Sequence, residues 1–142
     1  MTDALFSFAG LAAMSGWLAL LGSPWLGAAA DRYATLVVPG AIAVIYTGLV
    51  LAFWSRAEGG FGSLDEVAAL FETRELLLAG WLHYLAFDLF VGAWEVRTAR
   101  AAAIPFLLVV PCLVLTFLFG PAGLLAFLMI LAAFRTARAR AA

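Results

Sequence analysis

Residues 80 to 90 read GWLHYLAFDLF, which places His83 and Asp88 inside an otherwise apolar run. An imidazole and a carboxyl are the groups that general acid–base chemistry uses, one taking a proton as the other gives one. In a membrane helix a central carboxylate costs about 2.5–3.5 kcal/mol on insertion scales, so a partner, cavity water or protonation must offset it. Helical geometry advances about 100° per residue, so Trp81, Tyr84, Asp88 and Glu95 share one stripe. His83 lies about 140° away from Asp88 by the same count. The two groups therefore face different helices or flank a cavity between helices. Structural roles compete with chemical ones. His83 can hydrogen-bond across the bundle to Tyr46, Thr47 or Thr116, and Asp88 can cap a broken helix or meet a snorkelling Arg97 or Arg100.

Other chemistries find little footing. No Cys/His cluster has metal-ligand spacing, and no glycine-rich phosphate loop exists, so no metal is expected and any cofactor is unknown. Cys112 is the single cysteine and cannot form an intrachain disulfide. Ser15, Thr35, Thr47 and Thr116 read as packing or back-bonding residues. A net charge of −1 gives no electrostatic reason to expect nucleic acid.

The elements that must position His83 and Asp88 follow from composition. Of 142 residues, 66% are hydrophobic and 12% charged, and mean hydropathy is +1.08. Soluble domains carry about twice that charged fraction, so lipid is the expected solvent. Four apolar segments are read at about 4–21, 33–54, 76–94 and 104–134, each near or above the roughly 20 residues that cross a bilayer as helix. The expected fold is an all-α integral membrane four-helix bundle, with residues 1–142 forming a single transmembrane domain. The first segment is read as a retained helix: "GAAAD" resembles a cleavage site, but no Lys or Arg precedes the run and Asp3 does. Trp25, Tyr33, Trp54 and Trp94 fall at segment ends as interfacial anchors. Gly10, Ala13, Gly16, Gly40 and Gly48 are expected to permit close helix approach.

Between the second and third segments, Ser63 and Glu66 have capping-box spacing. Leu64, Val67, Ala68 and Phe71 recur at helical spacing opposite Asp65, Glu66 and Glu72. A short amphipathic helix is expected there, along the membrane surface or as a lid over a bundle cavity. The fourth segment would measure about 45 Å as a straight helix against a core of about 30 Å, and it contains Pro111 and Pro121. It is expected to kink near 117–120, or to break with free carbonyls facing a cavity. Four crossings would put both termini on one side, together with Arg56, Arg74, Arg135, Arg138 and Arg140. That excess over Arg32, Arg97 and Arg100 places both termini in the cytoplasm of a multi-pass inner-membrane protein.

"WLHYLAFDLF", followed by "LTFLFGPAG", resembles the abscisic-acid-deficient-four family, known from plant plastid membranes and from bacterial relatives. The W-x-H-x4-D-L-F pattern and the later P-x-G carry the resemblance, which covers most of the chain. The plant members are needed to make the allenic carotenoid neoxanthin from the epoxide violaxanthin. The resemblance implies an isomerisation in which one group removes a proton beside the ring and another protonates the opening epoxide. His83 and Asp88 become the candidate catalytic pair, and Trp81, Tyr84, Phe87, Phe90, Thr116 and Pro121 the candidate ligand-binding residues. Membership is also compatible with an accessory role. The Lys-free, Ala- and Arg-rich composition and the lack of a plant-like transit segment point to a bacterial member, whose substrate need not be violaxanthin.

Three functions remain open on the sequence. The first is a carotenoid- or isoprenoid-modifying protein, an isomerase resembling neoxanthin synthase. The second is a non-enzymatic subunit or assembly factor of a membrane pigment complex. The third is a proton or small-solute pathway formed by a homo-oligomer, suggested by Asp88 and the interrupted fourth segment. Membrane lipid and a polyene are the expected partners.

Overall fold

The computed structural model describes residues 1–141, with side chains through Arg140. The described residues form helices joined by short turns: α1 Thr2–Leu21, α2 Ser23–Leu26, α3 Ala28–Arg56, α4 Leu64–Glu72, α5 Arg74–Ala101, α6 Phe106–Phe119 and α7 Pro121–Ala141. Of these, α1, α3, α5 and α7 are long and apolar enough to cross a membrane by length and composition. Their low charge and internal backbone pairing suit a solvent that offers no hydrogen bonds.

α5 is the axis of the molecule. Half of its most apolar window is buried, against 17–28% for the other three long helices. α1, α3 and α6 pack around it, through Leu20, Ile42, Leu82, Leu89 and Leu113 among the buried side chains. Missing side chains allow the close approach of α1: Gly16 receives Leu89, and an added Cβ on Gly92 would sit 2.7 Å from the Trp17 ring. Gly10, Gly40 and Gly48 play no such part, since a Cβ there meets nothing within 4 Å.

Charged pairs tie the two ends of α5. Arg74 meets Asp3 at 2.6 Å at its start, and Arg100 meets Asp31 at 2.6 Å near its finish. α3 runs antiparallel to α5 and contains a π-helical stretch, Tyr33–Val37, where Val38 N–H donates to the Tyr33 carbonyl. Pro39 follows directly and has no N–H to give, which favours the altered bonding. α4 begins as the sequence spacing indicates: Ser63 Oγ accepts from Glu66 N–H at 3.2 Å, and Glu66 Oε2 accepts from Gly62 N–H at 3.0 Å. Leu64 is exposed, as on a helix lying in an interface, the Phe61 ring before it lies 5.3 Å from Trp54, and Phe71 covers Gly80 of α5.

The fourth apolar segment does not continue as a kinked helix. It breaks at Gly120, whose φ of +41° is open to glycine, and Pro121 starts α7 where no helical N–H partner is needed. The chain then reverses. Arg138 Nη1 donates to the Ala102 carbonyl at 3.0 Å, and Phe127 packs edge-on against Trp94 at 5.5 Å. α7 therefore runs back toward the Ala101 end of α5, antiparallel to α6. The 14 residues of α6 rise about 21 Å, too little for a core of about 30 Å. α6 and α7 thus form a helical hairpin whose turn lies beside Asp88, near the middle of α5.

This reversal leaves the start of α1 and the last turns of α7 at opposite ends of α5. Asp3 lies at the Arg74 end of α5, and Arg138 lies at the Ala101 end. Of the two expectations for residues 104–134, a kink near 117–120 or a break, the structure shows the break, and the positive-φ Gly120 turns the segment into two antiparallel helices.

Candidate functional site

One side of α5 faces α1 and the hairpin, and the stripe of Trp81, Tyr84, Asp88 and Glu95 lies along it. Trp81 and Tyr84 stack at 5.2 Å, and Phe6 of α1 lies 5.7 Å from Trp81. The Tyr84 hydroxyl donates to the Phe117 carbonyl at 2.9 Å, in the last turn of α6, where helix carbonyls lack helical partners. Phe117 in turn meets the edge of Trp17 at 5.6 Å. Trp17, Trp81, Tyr84 and Phe117 line a cleft of about 330 Å³ between α1, α5 and α6, with Asp88 as the only carboxyl in its wall.

Asp88 is pressed against the hairpin turn. A Cβ added to Gly120 would lie 2.7 Å from Asp88 Oδ1 and 3.1 Å from Oδ2. Oδ2 is shielded from solvent and has no hydrogen-bond partner. A polar atom in that state is costly unless something binds it, and the cleft beside it can hold a molecule. Trp81 and Tyr84 also wall a second, wider cleft of about 610 Å³, which reaches the Arg74 end of α5 between Phe6 and Phe71.

Not every residue singled out by the sequence converges here. Trp81, Tyr84 and Asp88 line the cleft. His83 does not: its exposed ring stacks on Phe87 at 4.4 Å and lies 6.0 Å from Tyr46 of α3. Phe87 and Phe90 wall a separate, apolar cleft of about 360 Å³ against the π-helical part of α3. The structure therefore places His83 and Asp88 on different faces of α5, with no common cavity among those described. Pro121 is exposed just beyond the turn.

Thr116 belongs to a pairing the sequence reading passed over. It is fully buried and donates to Glu95 Oε1 at 2.9 Å, and Glu95 is fully buried as well. Gly123 of α7 lies directly against Thr116, where any side chain would collide with its backbone and hydroxyl. Glu95 falls seven positions after Asp88 on the same stripe, and that spacing was the available signal. The third apolar segment, read as about 76–94, stops one residue short of it. Arg97 turns to Thr35 at 3.1 Å and Arg100 to Asp31. Among the described residues, no three His, Cys, Asp or Glu side chains gather as a metal site.

An all-α membrane protein with an aromatic cleft lined by a half-buried carboxyl is the class that these features define. Residues 4–127 match the family described as ABA DEFICIENT 4-like, and the chain belongs to that family. No curated protein and no solved structure matches it.

Proposed function

We propose that this protein holds a carotenoid or related isoprenoid polyene in the cleft beside Asp88 and isomerises it by proton transfer. The observation that carries this reading is one carboxyl, with an unpartnered oxygen, in the wall of an aromatic cleft that opens along the membrane-embedded helices. Flat conjugated chains pack well on aromatic walls such as Trp17, Trp81, Tyr84 and Phe117. Removing a proton beside a ring and returning one to an opening epoxide leaves the atom count unchanged. Such an isomerisation needs no oxidant or reductant. A single carboxyl serves both halves in turn, taking the proton as carboxylate and returning it as acid. This reading gives Asp88 the role for which the sequence offered a pair, since His83 lies outside the cleft.

The test is direct. Purified protein in lipid nanodiscs is incubated with violaxanthin as a defined epoxy-carotenoid, and with a hydrocarbon carotene, and pigments are extracted and separated. Wild type is expected to bind polyene and yield an isomer of unchanged mass; Asp88→Asn is expected to bind without converting. Failure to take up any polyene, with unaltered carotenoids in a deletion strain of a pigmented host, would sink the reading.

A second reading is favoured by the cleft of Phe87 and Phe90 on the opposite face, beside the exposed His83. These aromatic side chains suit docking in a membrane pigment complex, as a subunit or assembly factor. On that reading Phe90→Ala and His83→Ala lose co-purifying pigment protein while Asp88→Asn does not. Recovery only as a free monomer under gentle extraction counts against it.

The hairpin also changes the proposed orientation. Arg32, Arg97, Arg100, Arg135, Arg138 and Arg140 now fall at the Ala101 end of α5, leaving Arg56 and Arg74 at the other. The cytoplasmic excess of arginine then favours the C-terminal end inside and the N-terminus outside an inner membrane.

A further inference from the structure

Glu95 takes no part in the chemistry given to Asp88, yet its burial is the harder to explain. It is 0% exposed, Thr116 holds its Oε1, and its Oε2 has no hydrogen-bond partner. An apolar residue of similar volume would fill the position without that cost. Asp88 repeats the pattern two helical turns earlier, with a buried Oδ2 that also lacks a partner. Both carboxyls face α6 of the hairpin: Thr116 stands against Glu95, and Gly120, four residues later, stands against Asp88.

The spacing suits transfer between them. Seven residues of α5 rise about 10 Å, and the Thr116 hydroxyl, both donor and acceptor, occupies part of that interval. One or two bridging waters would close the remainder, using the oxygens that are otherwise unpartnered. Of the other titratable groups nearby, Tyr84 and His83 neighbour Asp88, and the rest are engaged elsewhere. From α6, the Cys112 thiol is directed at the Leu108 carbonyl at 3.7 Å. On α5, Tyr84 donates to Phe117, Arg97 to Thr35 of α3 and Arg100 to Asp31. α1 and α7 contribute Trp17 and Phe127, which do not titrate.

We infer that Glu95 is a second proton-handling group, exchanging a proton with Asp88 along the seam between α5 and the hairpin. The inference rests on the reading of Asp88 as a proton-transfer group. In the step, an O–H bond breaks at one carboxyl and another forms at the other carboxylate, with Thr116 and water passing the proton; no carbon bond changes. The isomerisation itself leaves Asp88 as it began, so exchange with Glu95 sets the protonation state in which Asp88 meets a polyene.

The test uses the full chain in nanodiscs without ligand, so it stands apart from any polyene assay. Infrared difference spectra are recorded over stepped pH for wild type, Asp88→Asn and Glu95→Gln, the last retaining an acceptor for Thr116. The carboxyl band lost in Glu95→Gln is expected to shift its titration midpoint in Asp88→Asn. A band that titrates identically in both backgrounds overturns the inference. Thr116→Val keeps both acids and removes the hydroxyl; deuterium exchange at the Glu95 carboxyl is expected to slow by about 100-fold, the lower range for a positioned proton-transfer group. Exchange at the wild-type rate overturns it too. Coupled titration in a protein that converts no polyene supports the exchange and counts against the isomerase reading alone.

Discussion

Gly120 and Asp88 touch across the seam between the hairpin and α5, so closely that a methyl group on Gly120 would lie 2.7 Å from the carboxyl. The turn that reverses the chain and the acid that lines the cleft are therefore one local structure. Gly120→Ala is expected to destabilise the protein by about 1–3 kcal/mol, from strain at φ +41° together with the displaced carboxyl. Thermal unfolding in detergent measures the first effect, and polyene uptake measures the second. An unshifted melting curve would contradict this placement of Gly120.

Glu95 and Thr116 form the other fastening of the hairpin. Glu95→Ala removes the acceptor and leaves a cavity, and a loss of about 2–4 kcal/mol is expected. Glu95→Gln keeps the acceptor and the volume and should lose about 1 kcal/mol or less. Equal destabilisation by the two variants would show that the bond to Thr116 does not hold the hairpin.

Topology offers a test independent of ligand. Single cysteines are placed at positions 3 and 138 in a Cys112→Ala background, and labelled with a membrane-impermeant thiol reagent from each side. Opposite-side labelling is expected, because Asp3 meets Arg74 and Arg138 meets Ala102 at opposite ends of α5. Labelling of both from one side would restore four crossings and rule out a re-entrant hairpin.

His83 and Asp88 should separate under mutation. His83→Ala removes a ring stacked on Phe87, outside the cleft, and polyene uptake at the Asp88 cleft should be unchanged. Trp81→Ala removes a wall shared by both clefts and should weaken uptake by about tenfold or more, in line with about 0.5–1.5 kcal/mol for ring contacts plus the lost apolar area. Trp fluorescence quenching by the bound polyene gives the readout. A large loss with His83→Ala would return that residue to the site.

Much of the architecture was legible because membrane solvation acts locally. Apolar runs become helices wherever backbone groups find no outside partner, and the segments read at 4–21, 33–54 and 76–94 fall within α1, α3 and α5. The start of α4 was legible for the same reason, since Ser63 and Glu66 bond to backbone within one turn. The stripe through Trp81, Tyr84 and Asp88 follows from helical periodicity, and it correctly set His83 on a different face.

The path after Gly120 was not legible. Glycine and proline report that a helix ends; they carry no information about where the next one goes. The burial of Glu95 was hidden likewise, because a carboxyl two residues from an arginine looks solvated until the arginine is seen engaged with Thr35. By itself the sequence determined the membrane setting, the helices and the faces on which the polar groups stand, all consequences of solvent and of 3.6 residues per turn. Only tertiary packing decided that the last segment folds back, that Asp88 meets a turn rather than a fourth crossing, and that Glu95 lies sealed against Thr116. Those outcomes depend on contacts between residues far apart in the chain, and local pattern does not encode them.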